Sequence, residues 1–244
     1  MSLSKYLALP LLTLAWIGLL QAADGDERGF LNRVYKDADG KEAKYVLFVP
    51  QDYKGDKDFP LILFLHGAGE TGTDGLKQAA VGLGPAIKKQ EKTFPFIAVM
   101  PQSQKRTWKA DTDDANRALA ILDEVKKQYK VDSKRIYLTG LSMGGYGTWS
   151  LAAKYPEKWA AIAPVCGGGD PSTAPKFKDI PCWCFHGDVD TAVKVDQSRA
   201  FIKALKEAGG NPKYDEYPGV GHNSWDKAYG TKELYEWMLQ QKLK

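Results

Sequence analysis

The stretch that decides the fold runs from residue 135 to 145 and reads Arg-Ile-Tyr-Leu-Thr-Gly-Leu-Ser-Met-Gly-Gly. It begins as a strand-like apolar run, and a helical stretch rich in Gly and Ala follows it. Between the two lies Gly140-x-Ser142-x-Gly144, a pattern that holds a serine on a tight strand-to-helix turn with strained backbone angles. Glycine is needed two positions before and after the serine because the chain passes too close there for side chains. The stretch therefore predicts an exposed nucleophile at Ser142.

Similar apolar runs recur along the chain, each bounded by Pro, Gly or polar residues. Short continuous runs of this kind are typical of strands that are covered on both faces. Between them lie stretches with the i, i+3, i+4 spacing of amphipathic helices. The predicted strands are 44–49, 61–65, 97–100, 136–139, 159–165 and 180–185, and the predicted helices are 115–129, 200–208 and 233–241. This alternation predicts an α/β fold with a mostly parallel central sheet flanked by helices.

The first 23 residues have the order of a secretory signal peptide. A Lys near the start is followed by an uncharged run at 6–20, by the small residues Ala22 and Ala23, and then by acidic residues. The run is short for a membrane span, so a signal peptide is favoured over a retained anchor helix. We therefore predict a signal peptide at 1–23, a single catalytic domain at 24–244, and an exported protein (periplasmic or secreted) with no stable membrane span.

The composition excludes several classes of protein. The chain has 43% apolar and 11% aromatic residues, which is typical of a globular protein and not of a disordered one. Its formal net charge is only +4 and its basic residues form no long run, so no nucleic-acid partner is expected. No oligomeric state is inferred from the sequence.

Only three cysteines are present, Cys166, Cys182 and Cys184. We expect three buried thiols that act as small apolar residues, and a disulfide between Cys166 and one of the other two is the alternative. The spacing of the cysteines resembles no zinc or redox motif.

A serine hydroxyl is nearly inert at neutral pH, so Ser142 needs a base and an orienting acid. The chain has three histidines. His66 and His186 each end a buried apolar run and precede a glycine, which favours a structural histidine whose hydrogen bonds are satisfied. His222 lies in the Gly-flanked polar loop 219–225, late in the chain, from which it can reach over the sheet edge. We therefore expect His222 to be the base.

The acid is sought after the run 180–185, because the chain order Ser, Asp, His matches one of three unrelated architectures of the serine triad. Asp188 and Asp190 both follow the end of that run, and either could instead be a turn former. Asp190 is preferred because it lies further into the loop, toward the expected place of His222. Asp170, which follows three glycines, is a weaker candidate.

Five segments of the chain carry a resemblance to known enzymes. They are Leu65-His-Gly-Ala-Gly-Glu, Pro101-Gln, Gly140-Leu-Ser-Met-Gly-Gly, Phe185-His-Gly-Asp-Val-Asp and Gly221-His-Asn-Ser-Trp. Together they resemble the α/β-hydrolases, and more closely the small exported carboxylesterases, also called predicted peptidases, that are related to feruloyl esterases. The resemblance covers essentially the whole chain after the leader. It implies an α/β-hydrolase fold with Ser142 as nucleophile, Asp190 as acid and His222 as base.

The resemblance also implies an oxyanion hole, formed by the backbone N–H groups of Ala68 and Met143. The chain departs from the family at one position of this loop. An Arg or similar basic residue often follows the Glu of the oxyanion loop, and here the residue is Thr71.

The substrate class is inferred from the lack of an inserted cap domain. The stretch 167–179 is short and contains Pro171 and Pro175, so it cannot form a separate cap domain. We therefore expect an open, shallow site for small-molecule or polymer-linked esters. Export favours extracellular or polysaccharide-linked esters, by analogy. Trp108 and Trp225 are candidates for the wall of an acyl or sugar site, and the alternative is that both are ordinary packing aromatics.

The predicted function is that of a serine carboxylesterase that works through an acyl-enzyme. A peptidase or (lyso)phospholipase with the same triad is an alternative, and a non-catalytic binding protein on a hydrolase fold is an alternative from another class. A metal site is disfavoured because its candidate ligands lack the close spacing of metal motifs. Those candidates are His66, His186, His222 and Asp188. We predict no metal ion and no cofactor.

Overall fold

The computed structural model describes residues 27–243, so the predicted signal peptide lies outside the described residues. Within this range the strands are β1 (Gly29–Lys36), β2 (Glu42–Val49), β3 (Phe59–Leu65), β4 (Ile97–Pro101), β5 (Val131–Leu141), β6 (Ala161–Val165), β7 (Trp183–Gly187) and β8 (Lys213–Tyr217). The α-helices are α1 (Leu83–Lys89), α2 (Asp113–Gln128), α3 (Met143–Lys154), α4 (Asp196–Glu207), α5 (Trp225–Gly230) and α6 (Lys232–Gln240). Short 3-10 helices lie at Ala68–Glu70, Lys77–Ala79, Pro156–Lys158 and Pro171–Lys176.

All of these strands form one sheet in the order β1-β2-β4-β3-β5-β6-β7-β8. β2 pairs antiparallel with both β1 and β4. The remaining pairs, β4-β3, β3-β5, β5-β6, β6-β7 and β7-β8, are all parallel. The carboxyl ends of the parallel strands meet at one edge of the sheet, and the loops that follow β3, β5, β7 and β8 lie there. The α/β fold with a mostly parallel sheet, predicted from the sequence, is confirmed.

Helices cover both faces of the sheet. Successive residues of β3 point to opposite faces, so Leu61 and Leu63 belong to one apolar core and Ile62 and Phe64 to the other. The first core contains side chains of α2, α3 and α4, and the second contains side chains of α1, α5 and α6. This double coverage explains why the central strands read as continuous apolar runs without alternation.

The two edge strands, β1 and β8, lack the continuous apolar run by which the central strands were predicted. β1 reads Gly-Phe-Leu-Asn-Arg-Val-Tyr-Lys and β8 reads Lys-Tyr-Asp-Glu-Tyr, and both are partly exposed to solvent. An edge strand has only one paired side and tolerates charged residues, so it lacks the apolar run that identifies a central strand. The short helices α1 and α5 also carry too few turns to show a period.

Element boundaries shift by a few residues from those predicted. β6 begins at Ala161 and β7 at Trp183, later than the predicted 159 and 180, whereas α4 begins at Asp196, earlier than the predicted 200. β7 starts late because Pro181 has no N–H to donate to a neighbouring strand.

The connection between β6 and β7 contains the stretch 167–179, which the sequence predicts to be too short for a cap domain. In the described chain it forms only the 3-10 helix Pro171–Lys176, so no cap domain is inserted there, as predicted. No helix within residues 27–243 has both the length and the apolar character needed to cross a bilayer.

Candidate active site

Ser142 lies on a tight turn at the edge of the sheet. It falls between the end of β5 and the start of α3, with φ +52° and ψ −115°, which is a strained conformation for a residue with a side chain. A Cβ on Gly144 would overlap the carbonyl oxygen of Leu65, and one on Gly140 would overlap the carbonyl oxygen of Gly144. The two glycines are therefore required by close backbone approach, as the sequence pattern predicts.

The structure brings Ser142, His222 and Asp190 together. His222 lies in the loop between β8 and α5, and its Nε2 atom is 2.9 Å from Oγ of Ser142. Its Nδ1 atom is 2.7 Å from Oδ2 of Asp190, in the loop after β7. Ser142 and His222 are half-buried, and Asp190 is buried. These contacts join residues that are 80 and 32 positions apart in the sequence.

Asp190 is buried, yet hydrogen bonds stabilise its ionised form. Its Oδ1 atom accepts the backbone N–H groups of Ala192 at 2.8 Å and Val193 at 2.9 Å. Burial alone would raise the pKa of this carboxyl group, but the hydrogen bond to His222 and those to the two N–H groups outweigh it and hold the pKa below its usual range. The group is therefore a carboxylate at neutral pH and orients the ring of His222.

The other two candidate acids, Asp188 and Asp170, accept hydrogen bonds from backbone N–H groups in nearby turns. Oδ1 of Asp188 accepts the backbone N–H of Gly219 at 2.7 Å. Oδ1 of Asp170 accepts the backbone N–H of Ser172 at 3.0 Å and so caps the 3-10 helix that follows. Among the three carboxylates, the hydrogen bond to His222 is made by Asp190.

His66 is a buried, neutral histidine that supports the loop after β3. Its Nε2 atom accepts the backbone N–H of Ser103 at 2.9 Å, so the ring proton lies on Nδ1, which donates to the carbonyl oxygen of Gly67 at 2.6 Å. Burial lowers the pKa of His66 to about 4. This arrangement agrees with the structural role expected from the sequence.

His186 is also buried, but it touches the site directly. Its Nδ1 atom is 2.7 Å from Oγ of Ser198, and its Nε2 atom is 2.9 Å from the carbonyl oxygen of Val193. The same Nε2 atom is 3.2 Å from Oδ2 of Asp190. This contact was not predicted from the sequence. The one available signal is the spacing of four residues in the loop after β7, which lets the chain fold back on itself.

The two N–H groups expected to form an oxyanion hole begin two short helices. Met143 is the first residue of α3, and Ala68 is the first residue of the 3-10 helix Ala68–Glu70. The first N–H groups of a helix have no acceptor within it and are free to bind an anion. The two loops are neighbours, because a Cβ built on Gly67 would lie 3.7 Å from Cβ of Ser142.

A cavity of about 760 Å³ opens beside Ser142. Its wall includes the residues that follow the serine in α3 and the stacked rings of Trp149 and Phe201, whose centroids are 4.2 Å apart. Its other lining residues belong to the loop after β4 and to the connection between β6 and β7. Trp149 and Phe201 were not predicted from the sequence, since aromatic residues at helical spacing are typical of ordinary core packing.

The two tryptophans singled out in the sequence have different places. Trp108 is on the cavity wall but is buried, and its Nε1–H donates to the carbonyl oxygen of His66 at 3.0 Å. Trp225 is half-buried and is not among the residues that line the cavity. Its ring meets that of His222 edge-on, with 5.3 Å between the centroids.

The side chains that could hold a metal ion coincide with this site. Within residues 27–243, ligand atoms of Cys166, Asp190 and His222 lie within 4.8 Å of one another. Both oxygens of Asp190 already accept hydrogen bonds, and burial raises the pKa of the Cys166 thiol to about 12, which disfavours the thiolate that a metal requires. The donor set therefore does not suit a metal ion. The hypothetical site from His66, His186, His222 and Asp188 is not assembled among the described residues.

All three cysteines are free thiols, and all are buried. The expectation of three buried thiols is thus confirmed, and the alternative disulfide from Cys166 is not formed.

Comparisons with known proteins identify the family. The model of the dienelactone hydrolase family matches residues 41–230. A bifunctional acetylxylan esterase/xylanase of Neocallimastix patriciarum is 30% identical over 151 residues, which cover 61% of this chain and 22% of that protein. A probable feruloyl esterase C of Aspergillus flavus is 25% identical over 203 residues, which cover 82% of this chain and 73% of that protein.

A solved structure described as a thermostable esterase has the same fold. It superposes with a TM-score of 0.77 at 37% identity and covers 87% of this chain and 63% of its own. The chain thus spans less than two thirds of that esterase and about a fifth of the Neocallimastix protein. The resemblance to α/β-hydrolases and feruloyl esterases inferred from the sequence is confirmed. Because the family match spans most of its length, the chain belongs to the dienelactone hydrolase family, with an α/β-hydrolase fold.

Proposed function

We propose that this protein is a serine carboxylesterase that works through an acyl-enzyme, with Ser142, His222 and Asp190 as its catalytic residues. The observation that carries the proposal is the position of the His222 ring, whose Nε2 is 2.9 Å from Oγ of Ser142 while Nδ1 is 2.7 Å from Oδ2 of Asp190. A base that touches the nucleophile and is oriented by a carboxylate is the arrangement that activates a serine.

In the first half of the reaction, His222 takes the hydroxyl proton as Ser142 attacks the carbonyl carbon of the ester. Asp190 stabilises the imidazolium that forms, and it stays ionised. Negative charge develops on the carbonyl oxygen, where the backbone N–H groups of Ala68 and Met143 bind it. Such donors act mainly on the transition state, and loss of one typically costs about 10²- to 10³-fold in turnover.

In the second half, the imidazolium of His222 gives its proton to the leaving alkoxide, and the acyl group stays on Ser142. Water then enters, loses a proton to His222 and attacks the carbonyl carbon of the acyl-enzyme. The imidazolium of His222 returns this proton to Oγ of Ser142 as the acyl–oxygen bond breaks, so the acid product leaves and both residues are restored. All proton transfers use residues of this chain, so the cycle needs no metal ion or cofactor.

We propose that the substrates are esters at the ends of bulky or polysaccharide-linked molecules. The absence of a cap between β6 and β7 in the described chain supports an open site. The names of the relatives, an acetylxylan esterase and a feruloyl esterase, support esters of this kind. Export through a signal peptide at 1–23 belongs to the same proposal, and it is supported by a relative described as an uncharacterized secreted protein of Arthroderma benhamiae.

The test is hydrolysis by the purified protein and its Ser142→Ala variant. We expect the wild-type protein to hydrolyse p-nitrophenyl acetate, butyrate and ferulate, and the variant to lose at least about 10³-fold in kcat while keeping its unfolding transition. Matched anilides and a lysophospholipid, assayed in parallel, separate an esterase from a peptidase or a phospholipase. Hydrolysis that survives in Ser142→Ala, or faster cleavage of the anilides, would contradict the proposal.

A further inference from the structure

His186 makes three polar contacts, and they determine which of its ring nitrogens carries the proton. The carbonyl oxygen of Val193 can only accept, so Nε2 must carry a proton to make its 2.9 Å contact. In the neutral ring, Nδ1 is then an acceptor, and it takes the O–H of Ser198 at 2.7 Å. The same Nε2 atom is 3.2 Å from Oδ2 of Asp190, so the positive end of the N–H dipole lies close to this carboxylate oxygen.

Oδ2 of Asp190 therefore faces two histidines, His222 at 2.7 Å and His186 at 3.2 Å. Ser198 in α4 is linked to the nucleophile by an unbroken series of polar contacts. Three of these contacts are hydrogen bonds, and the one between His186 and Asp190 is the 3.2 Å approach of Nε2 to Oδ2. The series runs in the order Ser198, His186, Asp190, His222 and Ser142. Of its members, Ser198, His186 and Asp190 are buried, so water does not compete for their contacts.

We propose that His186 is a positioning residue, whose Nε2–H holds the carboxylate of Asp190 in the orientation that His222 requires and limits how strongly Asp190 favours the charged form of His222. The proposal rests on the proposed function, because it assigns a role within that same site. His186 acts through Asp190 and does not contact the nucleophile.

The physical reason lies in how hydrogen bonds divide the charge of a buried carboxylate. Oδ1 of Asp190 is held by two backbone N–H groups, whereas Oδ2 is held by the ring of His222, the residue that Asp190 has to orient. The N–H of His186 beside Oδ2 restrains this oxygen independently of His222. It also takes part of the negative charge of Oδ2, so that a protonated His222 gains less from its contact with Asp190. Without this N–H the contact between His222 and Asp190 is stronger, and we expect the acidic limb of the pH–rate profile to move to higher pH.

Other titratable groups near His186 are engaged elsewhere or neutral. Glu216 pairs with it across β7 and β8, but its carboxylate binds the guanidinium of Arg199 at 2.6 and 2.9 Å. Cys184 and Cys166 lie nearby as thiols, because burial raises the pKa of each to about 12. Asp188 accepts the N–H of Gly219. Asp190 is thus the carboxylate within hydrogen-bond distance of the His186 ring.

The experiment compares three variants with the wild-type protein, using a neutral p-nitrophenyl ester across pH 5 to 9. His186→Met removes the donor with a similar side-chain volume, and His186→Gln restores an N–H donor near the position of Nε2. Ser198→Ala keeps the ring but releases Nδ1. We expect His186→Met to lose about 10-fold in kcat, with KM changed less than about 2-fold. We also expect the acidic limb of its pH–rate profile, where kcat rises with pH, to move to higher pH by about half a unit.

We expect His186→Gln to recover most of the wild-type kcat and the wild-type acidic limb. We expect Ser198→Ala to move the acidic limb in the same direction as His186→Met, but by a smaller amount. An unchanged limb in His186→Met, or an equal loss in His186→Gln, would overturn the proposal. If His186→Met does not fold, the proposal is overturned by an unshifted limb in Ser198→Ala. Absence of Ser142-dependent hydrolysis in the wild-type protein contradicts the proposed function itself, which separates the two failures.

Discussion

The indole N–H of Trp108 donates to the backbone carbonyl oxygen of His66 over 3.0 Å, and both residues are buried. The rings of the two residues also meet edge-on, with 5.1 Å between their centroids. His66 precedes Gly67 and Ala68, the loop that carries one of the two proposed oxyanion donors. Trp108 therefore connects the cavity wall to the loop that must stay fixed while charge develops on the substrate.

Replacement of Trp108 by Phe tests this connection. The variant keeps an aromatic ring but leaves the buried carbonyl of His66 without its partner, so we expect a loss of about 2–3 kcal/mol in the free energy of unfolding. We also expect kcat to fall, since the Ala68 N–H is less well fixed. Urea unfolding and ester kinetics measure the two effects. Trp237→Phe, on α6, is the matched control, and an equal loss of kcat in both variants would contradict the assigned role.

Close backbone packing at the turn gives a second prediction. Alanine normally stabilises a helix relative to glycine by about 1 kcal/mol. At Gly144, however, a Cβ would overlap the carbonyl oxygen of Leu65, so we expect Gly144→Ala to destabilise the protein by at least about 3 kcal/mol. At Gly230 a Cβ would meet nothing within 4 Å, and we expect Gly230→Ala to change stability by less than about 1 kcal/mol. Equal effects in chemical denaturation would refute this explanation.

Much of this site could be predicted from the sequence, because its pattern is local. Gly140, Ser142 and Gly144 form a turn whose steric needs are visible in five residues. Central strands are equally recognisable, because burial on both faces demands apolar residues. Position in the loop and the family resemblance both favour Asp190 over Asp188, and in the structure Asp190 makes the hydrogen bond to His222.

Features that depend on loop path or on distant packing were harder to predict. The contact between His186 and Asp190 requires the loop after β7 to fold back over the strand end, and a spacing of four residues permits that path without specifying it. The cavity wall was missed for a similar reason, since the stacking of Trp149 on Phe201 joins two helices that are far apart in the sequence. The edge strands β1 and β8 lack an apolar run because half of their surface meets solvent.

Burial of His66 gives a prediction for stability against pH. The pKa of His66 is lowered from 6.5 to about 4 in the folded protein, so unfolded chains bind the proton first as the pH falls. The contribution of neutral His66 to the free energy of unfolding is therefore complete above pH 6.5 and is lost as the pH decreases toward 4. At about 1.4 kcal/mol per pKa unit, the loss is about 3 kcal/mol in all. His66→Gln, which keeps an acceptor for Ser103 and does not titrate, should lack this loss. Parallel unfolding curves for the two proteins across this range would be inconsistent with a neutral, buried His66.

The cavity beside Ser142 predicts a size-dependent effect. Ala153 is half-buried on the cavity wall in α3. A phenylalanine there narrows the space available to an acyl group, so we expect Ala153→Phe to raise KM for feruloyl or other bulky esters by about 10-fold and to leave acetyl esters within about 2-fold. Kinetics on the two substrates measure the ratio. Equal changes for both would show that the acyl group lies elsewhere.

The central claim is that Ser142 is the nucleophile, activated by His222 and oriented through Asp190. The most direct measurement is reaction of the native protein with a fluorophosphonate, followed by mass spectrometry of its peptides. The account predicts one adduct per chain, located on Ser142 and strongly reduced in His222→Ala. An adduct on a different residue, or a protein that hydrolyses esters at full rate after complete reaction with the probe, would contradict it.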